Sequence, residues 1–254
     1  MARMAMLVSP ELCIGCRACQ SACKEWKDLP AVDTVNTGTF ENPPDLSGST
    51  YNKIRFLELP SEQNAKRWLF VSQRCMHCMD AGCMKICPSP GALFRTGSGA
   101  VAFNKDKCIG CRLCASACPF GLMRFDGQGK ASKCDMCPER TAAELAPACV
   151  KTCPTGALKF GGRGELAAAA AKNGYAGVYG GSVLGGTGVL YAFRFPPKIY
   201  EMAENPAIPA GIQLWSGLKA LSAWGLGAAL AASALHYLAT GSLRKEEEGG
   251  KKDE

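Results

Sequence analysis

Apolar and polar positions alternate in short stretches along most of this chain and then give way to one long apolar run. Five segments have the length and the β-branched or aromatic content of strands: Ile54–Leu59, Trp68–Ser72, Ala100–Phe103, Ala157–Phe160 and Val189–Phe195. Glu165–Asn173, Ala-rich and stopped by Gly174, predicts a short helix standing against solvent. Residues 28–53 are rich in Pro, Asn, Asp, Gly and Thr and read as a long surface loop suited to a partner contact. The glycine-rich stretches at 161–164 and 185–188 read as turns. Prolines at 196, 197, 206 and 209 make 196–214 an extended linker between a domain at 1–195 and the C-terminal segment.

The C-terminal segment is apolar. From Ala220 to Gly241 no residue is charged, and at about 1.5 Å per residue this makes roughly 33 Å of helix, enough to cross the ~30 Å hydrocarbon core of a bilayer. With Trp215 and Trp224 toward one end and Tyr237 at the other, 215–241 is expected to be a transmembrane helix with aromatic anchors. Gly225, Gly227, Ala228, Ala231, Ala232 and Ser233 would allow close packing against other membrane helices. Arg244, Lys245, Lys251 and Lys252 come after the run, whereas Lys219 is the main cation before it. The positive-inside rule then puts the tail, 242–254, in the cytoplasm and the large domain on the other face. No secretory signal stands at the start of the chain, so the domain is expected to be exported with a signal-bearing partner. His236, inside the run, is a candidate for facing a haem or quinone site of a partner, or for hydrogen bonding to a neighbouring helix.

Cysteine decides the chemistry of the large domain. Sixteen of 254 residues are Cys, against two His. They form four groups: Cys13, Cys16, Cys19, Cys23; Cys75, Cys78, Cys83, Cys87; Cys108, Cys111, Cys114, Cys118; and Cys134, Cys137, Cys149, Cys153. The first and third groups have the C-x2-C-x2-C-x3-C spacing of bacterial ferredoxins, in which three thiolates bind one [4Fe–4S] cluster and the fourth reaches the other cluster of a pair. Gly15 and Gly110 let the loop turn without a Cβ clash. Pro88, Pro119 and Pro154 come directly after three of the fourth cysteines and send the chain outward. Structural zinc sites use paired knuckles far apart in sequence, and disulfide frameworks do not repeat x2-x2-x3 runs. Both alternatives fit these groups less well.

The second and third groups are close in sequence and form one expected ferredoxin unit, 75–118; the first and fourth flank it as a second unit. The exchange of fourth cysteines then assigns Cys13, Cys16, Cys19 and Cys153 to one cluster and Cys134, Cys137, Cys149 and Cys23 to a second. Cys75, Cys78, Cys83 and Cys118 take the third, and Cys108, Cys111, Cys114 and Cys87 the fourth. The expected fold is α+β: two fused ferredoxin-like units carrying four [4Fe–4S] clusters, plus the membrane helix. His77, between Cys75 and Cys78, is expected to pack or hydrogen-bond near a cluster rather than ligate it.

A row of clusters is a wire, and nothing in the chain offers substrate chemistry: no Ser-His-Asp set, no phosphate loop, no dinucleotide fingerprint. The net charge of +7 would allow a nucleic-acid partner, but no basic stripe with interleaved aromatics supports one. Each oxidised cluster with four thiolates carries about −2, so four of them bring the protein near neutrality. Lys24, Lys85, Lys107, Lys133 and Lys151, beside the cysteines, are expected to offset that buried charge.

The four-group layout resembles the electron-transfer subunits of the molybdopterin oxidoreductase superfamily, and most closely the β subunit of membrane-bound formate dehydrogenase. The likeness rests on GCRACQSACKEW at 15–26, ENPPDLSG at 41–48, CMHCMDAGCMKICP at 75–88, PACVKTCPTGALKFG at 147–161, GGTGVLYAF at 185–193 and the segment 204–238. It implies electrons passing from a molybdenum or tungsten pterin α subunit, through the clusters, to a membrane γ subunit with b-type haem and on to quinone. It also implies export with an α subunit that carries a twin-arginine signal. Gly188 departs from the pattern, standing where related sequences carry His. Nitrate reductase relatives replace one ligand of the third group by Trp, where this chain has Cys111, and dimethyl sulfoxide reductase relatives lack the terminal helix. The competing readings are the same wire serving another molybdopterin oxidoreductase or a hydrogenase, and a structural zinc-binding module.

Overall fold

The computed structural model of the chain describes residues 3–59, 68–172, 175, 177–219 and 230–238. Its strands are β1 (Met4–Val8), β2 (Asn52–Glu58), β3 (Trp68–Arg74), β4 (Leu93–Arg95), β5 (Val101–Phe103), β6 (Arg124–Phe125), β7 (Ala131–Ser132), β8 (Leu158–Gly162), β9 (Gly177–Tyr179) and β10 (Val189–Phe193). Its helices are α1 (Ala18–Trp26), α2 (Gly82–Ile86), α3 (Leu113–Ser116), α4 (Pro138–Ala142), α5 (Ala148–Lys151) and α6 (Arg163–Lys172). The fold mixes α and β, and most elements are short because a cysteine loop interrupts the chain between them.

One four-stranded sheet, ordered β8-β1-β10-β9, organises the domain. β1 is antiparallel to β8, Met6 opposite Phe160, and parallel to β10, Met6 opposite Val189. Alternation along the strands sends side chains to two buried faces. Ala5, Leu7, Leu190 and Ala192 meet Ala170, Leu166 and Ala167 of α6. Met6, Val8, Val189, Tyr191 and Phe193 face the main core with Ile54, Leu69, Val71 and Leu158. Burial on both faces explains why β1 and β10 are continuously apolar rather than alternating. Three antiparallel hairpins, β2–β3, β4–β5 and β6–β7, complete the domain.

Several sequence expectations shift. The five expected strands exist with moved ends, while β4, β6, β7 and β9, of two or three residues each, are too short to stand out, and β1, MAMLV, has a single β-branched residue to mark it. The glycines at 161–164 do not turn: β8 runs through Gly162 and α6 begins at Arg163. α6 is not a free prop, since its Ala170 is buried against the sheet.

The 196–214 linker is corrected at its start. Pro197–Tyr200 forms a 3-10 turn. The Tyr200 ring is fully buried and stacks on Phe193 at 3.9 Å between centroids. Its hydroxyl donates to Glu11 Oε1 at 2.9 Å and accepts from the Arg194 amide at 3.1 Å. The chain divides instead into Met1–Pro209 and Ala210–Glu254.

Within the second unit, 210–219 and 230–238 are helical and rich in exposed apolar side chains, among them Leu214, Trp215, Leu218, Leu230, Leu235 and Leu238. No helix among the described residues is long and apolar enough to cross a membrane. Much of the expected span, 220–229 and 239–241, and the tail 242–254 lie outside the described residues.

Tyr200→Ala should destabilise the domain by about 3–5 kcal/mol, the cost of emptying an aromatic site in a core. Thermal unfolding of the purified domain checks this; an unchanged melting temperature would mean that residues 197–200 only rest on the surface.

Candidate iron–sulfur centres

The four C-x2-C loops share one backbone shape. The residue before the second cysteine has positive φ in each: Gly15 at 70°, His77 at 50°, Gly110 at 74° and Met136 at 65°. Glycine adopts this region freely; His77 and Met136 are held there by complete burial. In the first and third groups the match goes further. Arg17 and Arg112 come next at φ 60° and 61°, immediately before α1 and α3. The Arg17 guanidinium lies over Phe56 at 4.9 Å and that of Arg112 over Phe125 at 5.3 Å.

All sixteen cysteines are free thiols, and they gather in four sets. Cys13 neighbours Cys16 and Cys153, and Cys19 neighbours Cys149 as well as Cys13 and Cys153; Cys13, Cys16, Cys19 and Cys153 line one cavity. Cys23 neighbours Cys137 and Cys149, and Cys134 neighbours Cys23 and Cys149. Cys78 neighbours Cys75, Cys83 and Cys118. Cys114 neighbours Cys87, Cys108 and Cys111, and these four line another cavity. The pairing of β1 with β8 draws the first and fourth groups together, because the first comes just after β1 and the fourth just before β8.

The first and fourth sets each surround a cavity. No three His, Cys, Asp or Glu among the described residues lie close enough to hold a single metal ion, as a zinc with sulfurs at about 2.3 Å would require. Four thiols around a wider space fit an iron–sulfur core with iron at its corners.

Burial is the main electrostatic fact. It raises Cys19 and Cys137 to about 11, and Cys23, Cys83 and Cys114 to about 12, with neighbouring thiols adding in each case. At Cys118, also raised by burial, backbone amides oppose the rise, among them Leu122 N–H at 3.4 Å from Sγ. Other amides point at ligand sulfurs too: His77 N–H at Cys75 Sγ (3.5 Å) and Ala131 N–H at Cys108 Sγ (3.4 Å). The His77 ring accepts the Val101 amide at Nδ1, 3.0 Å away, so its proton sits on Nε2, a buried donor without a protein acceptor. That orphan donor, on the residue between Cys75 and Cys78 in sequence, fits an acceptor that the described residues do not supply. Gly188 explains its own departure from the resemblance: a Cβ there would meet His77 Cβ at 2.9 Å, so a side chain at 188 and His77 in this position exclude each other.

Of the five lysines expected to offset cluster charge, one is inside. Lys133 is 2% exposed. Lys24 binds the carbonyls of Pro30 and Ser49, Lys85 pairs with Asp80 at 2.6 Å, and Lys107 and Lys151 are exposed. Sequence reasoning missed Arg74, 1% exposed, whose Nη1 lies 3.0 Å from Cys149 Sγ. The signal was available: Arg74 and Lys133 each stand immediately before the first cysteine of a group.

A fold of short hairpins around four thiol sets defines a protein of the [4Fe–4S] dicluster class. Residues 12–91 and 66–163 each match a family described as 4Fe-4S dicluster domain, and 208–249 match one described as formate dehydrogenase N, transmembrane. The chain is 40% identical to the formate dehydrogenase-O iron-sulfur subunit of Escherichia coli K12, covering 96% of this chain and 86% of that one. It is 39% identical to the nitrate-inducible formate dehydrogenase iron-sulfur subunit of the same organism, over 94% and 86%. It is 37% identical to the formate dehydrogenase iron-sulfur subunit of Haemophilus influenzae, over 96% and 83%. The chain belongs to the family of formate dehydrogenase iron–sulfur subunits, and its role is electron transfer without a catalytic site of its own. Two dicluster matches and sixteen cysteines are consistent with four [4Fe–4S] clusters.

Ligation needs thiolates, so iron must displace a proton at each buried thiol. Cluster assembly should therefore be favoured as pH rises and opposed as it falls. Anaerobic reconstitution between about pH 6 and about pH 8.5, below the raised thiol values, with absorbance then read near ~400 nm, checks the sign; a yield independent of pH would contradict it.

Proposed function

We propose that this chain carries electrons singly through four [4Fe–4S] clusters, from a formate-oxidising molybdenum or tungsten pterin subunit toward a membrane subunit with b-type haem and quinone. Formate yields carbon dioxide, a proton and two electrons, and each bound cluster would supply a one-electron couple between its 2+ and 1+ states. The ligand sets are Cys13, Cys16, Cys19, Cys153; Cys134, Cys137, Cys149, Cys23; Cys75, Cys78, Cys83, Cys118; and Cys108, Cys111, Cys114, Cys87. The gathering of the thiols into these four sets is the observation that carries the reading.

The proposed row runs in that order, and the electrostatic neighbours of its members support it. Cys19 of the first neighbours Cys149 of the second, Lys133 faces Cys134 of the second and Cys75 and Cys83 of the third, and Cys83 of the third neighbours Cys114 of the fourth. The ends of the row are open to partners: Cys16 and Cys111 are exposed, beside Ile14 at 60% and Ile109 at 65% exposure. The second set is covered on every side but that of Cys23.

The second unit is the proposed membrane anchor. Exposed leucines and Trp215 within the region matched by the transmembrane family support this, as does the uncharged run from Ala220 to Gly241. In the proposed arrangement 215–241 crosses the inner membrane once, 242–254 is cytoplasmic, and the cluster domain is periplasmic, exported with its catalytic partner.

Cys111→Ser should remove or alter the fourth cluster alone, seen as loss of one component from the EPR spectrum of the reduced protein; an unchanged spectrum and iron content would refute that ligand assignment. A chain ended at Pro209 should keep its iron and its catalytic partner but no longer sediment with membranes. Retention in the membrane fraction after an alkaline wash would overturn the anchor.

A further inference from the structure

Two cations lie inside the protein without a carboxylate partner among the described residues. Arg74 Nε donates to Ser72 Oγ at 3.1 Å, Nη1 to Cys149 Sγ at 3.0 Å and Met6 Sδ at 3.1 Å, and Nη2 to Asn52 Oδ1 at 3.1 Å and to Ser72 Oγ. Lys133 Nζ donates to the carbonyls of Val101 and of Cys134, the latter at 2.9 Å. The partners are neutral oxygens and sulfurs. Uncompensated charge buried this completely is strongly unfavourable, and the ion pairs among the described residues involve other side chains. The anions whose field reaches them are chiefly the thiolates of the cluster sites, with Asp135, itself paired to Lys27, also acting on Lys133.

The positions of the two cations are specific. Arg74 touches Cys149 of the second set and reaches the first through Asn52, whose Nδ2 donates to the Cys19 carbonyl at 2.8 Å. Lys133 adjoins Cys134 of the second set and reaches the third through Val101, whose amide donates to the His77 ring between Cys75 and Cys78. Each cation therefore stands at a junction between successive sites, and the second site adjoins both.

We propose that Arg74 and Lys133 are fixed counter-ions built into the junctions of the row, Arg74 between the first and second clusters and Lys133 between the second and third, and that they raise the reduction potentials of the clusters they separate. The proposal rests on the reading that the four thiol sets hold clusters. Reduction adds negative charge to a cluster, and a nearby fixed positive charge stabilises that state. Both are positioning residues that act through their field on the electron carriers. The second cluster, flanked by both, depends on them most, and the fourth, remote from both, least.

The test is an EPR-monitored redox titration of the full chain, with iron and acid-labile sulfide measured on every sample. Lys133→Gln should lower the potentials of the second and third clusters by about tenfold in the reduced-to-oxidised ratio, about 59 mV for a one-electron couple, and leave the fourth unmoved. Lys133→Arg should keep the parental potentials, which a merely space-filling role would not require. Arg74→Gln should lower the first and second; if it fails to assemble, Arg74→Lys decides, because it keeps the charge while losing the planar hydrogen-bonding fork, and should hold the potentials. Full cluster content with unshifted potentials in Lys133→Gln overturns the proposal and leaves the four-cluster reading standing. A parental protein holding fewer than four clusters overturns that reading instead.

Discussion

The pairing of β1 with β8 is the contact on which the arrangement of the cysteines depends. It joins residues from the two ends of the cluster domain, Val8 opposite Leu158, and so brings a loop that begins with Cys13 beside one that ends with Cys153. The second and third groups need no such device, since the hairpin β4–β5 lies between them and local chain reversal suffices. One ferredoxin-like unit is closed locally, and the other is closed around it by strands far apart in sequence. Loop-closure entropy makes the second kind of closure costly, and β1 is correspondingly well secured: central in its sheet and buried on both faces.

The cysteine groups were legible in the sequence because ligand spacing is local chemistry, fixed by what one loop can wrap. Strand interiors such as Val189–Phe193 were legible because burial on both faces makes them apolar. β1 was not: MAMLV is as long as VLYAF but has one β-branched residue and no aromatic, and the partners that make it a strand lie at the other end of the domain. Pro197–Tyr200 was misread for a related reason. Proline density announces an extended chain, but Tyr200 folds back because Phe193 and Glu11 offer its ring and hydroxyl a buried site, a tertiary fact that local composition does not encode.

Charge obeys the same division between local and tertiary. Five lysines beside cysteines look alike in sequence, yet Lys107 and Lys151 are exposed and Lys85 pairs with Asp80, where screening leaves little of their field, while Lys24 is half-buried on two carbonyls within the field of Cys23. Lys133 is inside, and so is Arg74 at the end of β3, where the strand delivers it into the core beside Cys149. Guanidinium suits that place: it stays charged and distributes five donors over Ser72, Asn52, Met6 and Cys149 without requiring an ionised partner for each.

The left-handed residue of each C-x2-C loop has a consequence for how the row is built. Gly15 and Gly110 occupy it in the two loops that reach solvent, where a Cβ would meet the Phe70 ring at 3.0 Å and the Gly129 carbonyl at 3.3 Å. His77 and Met136 occupy it in the two interior loops, where surrounding atoms impose the same backbone on residues that would otherwise resist it. The outer loops keep their shape by intrinsic permission and the inner ones by confinement. A partner docking at the first end therefore meets a glycine turn laid directly on Phe70 and Phe56, so that a side chain substituted at Gly15 would disturb the rim of the terminal site and the aromatic side chains behind it together.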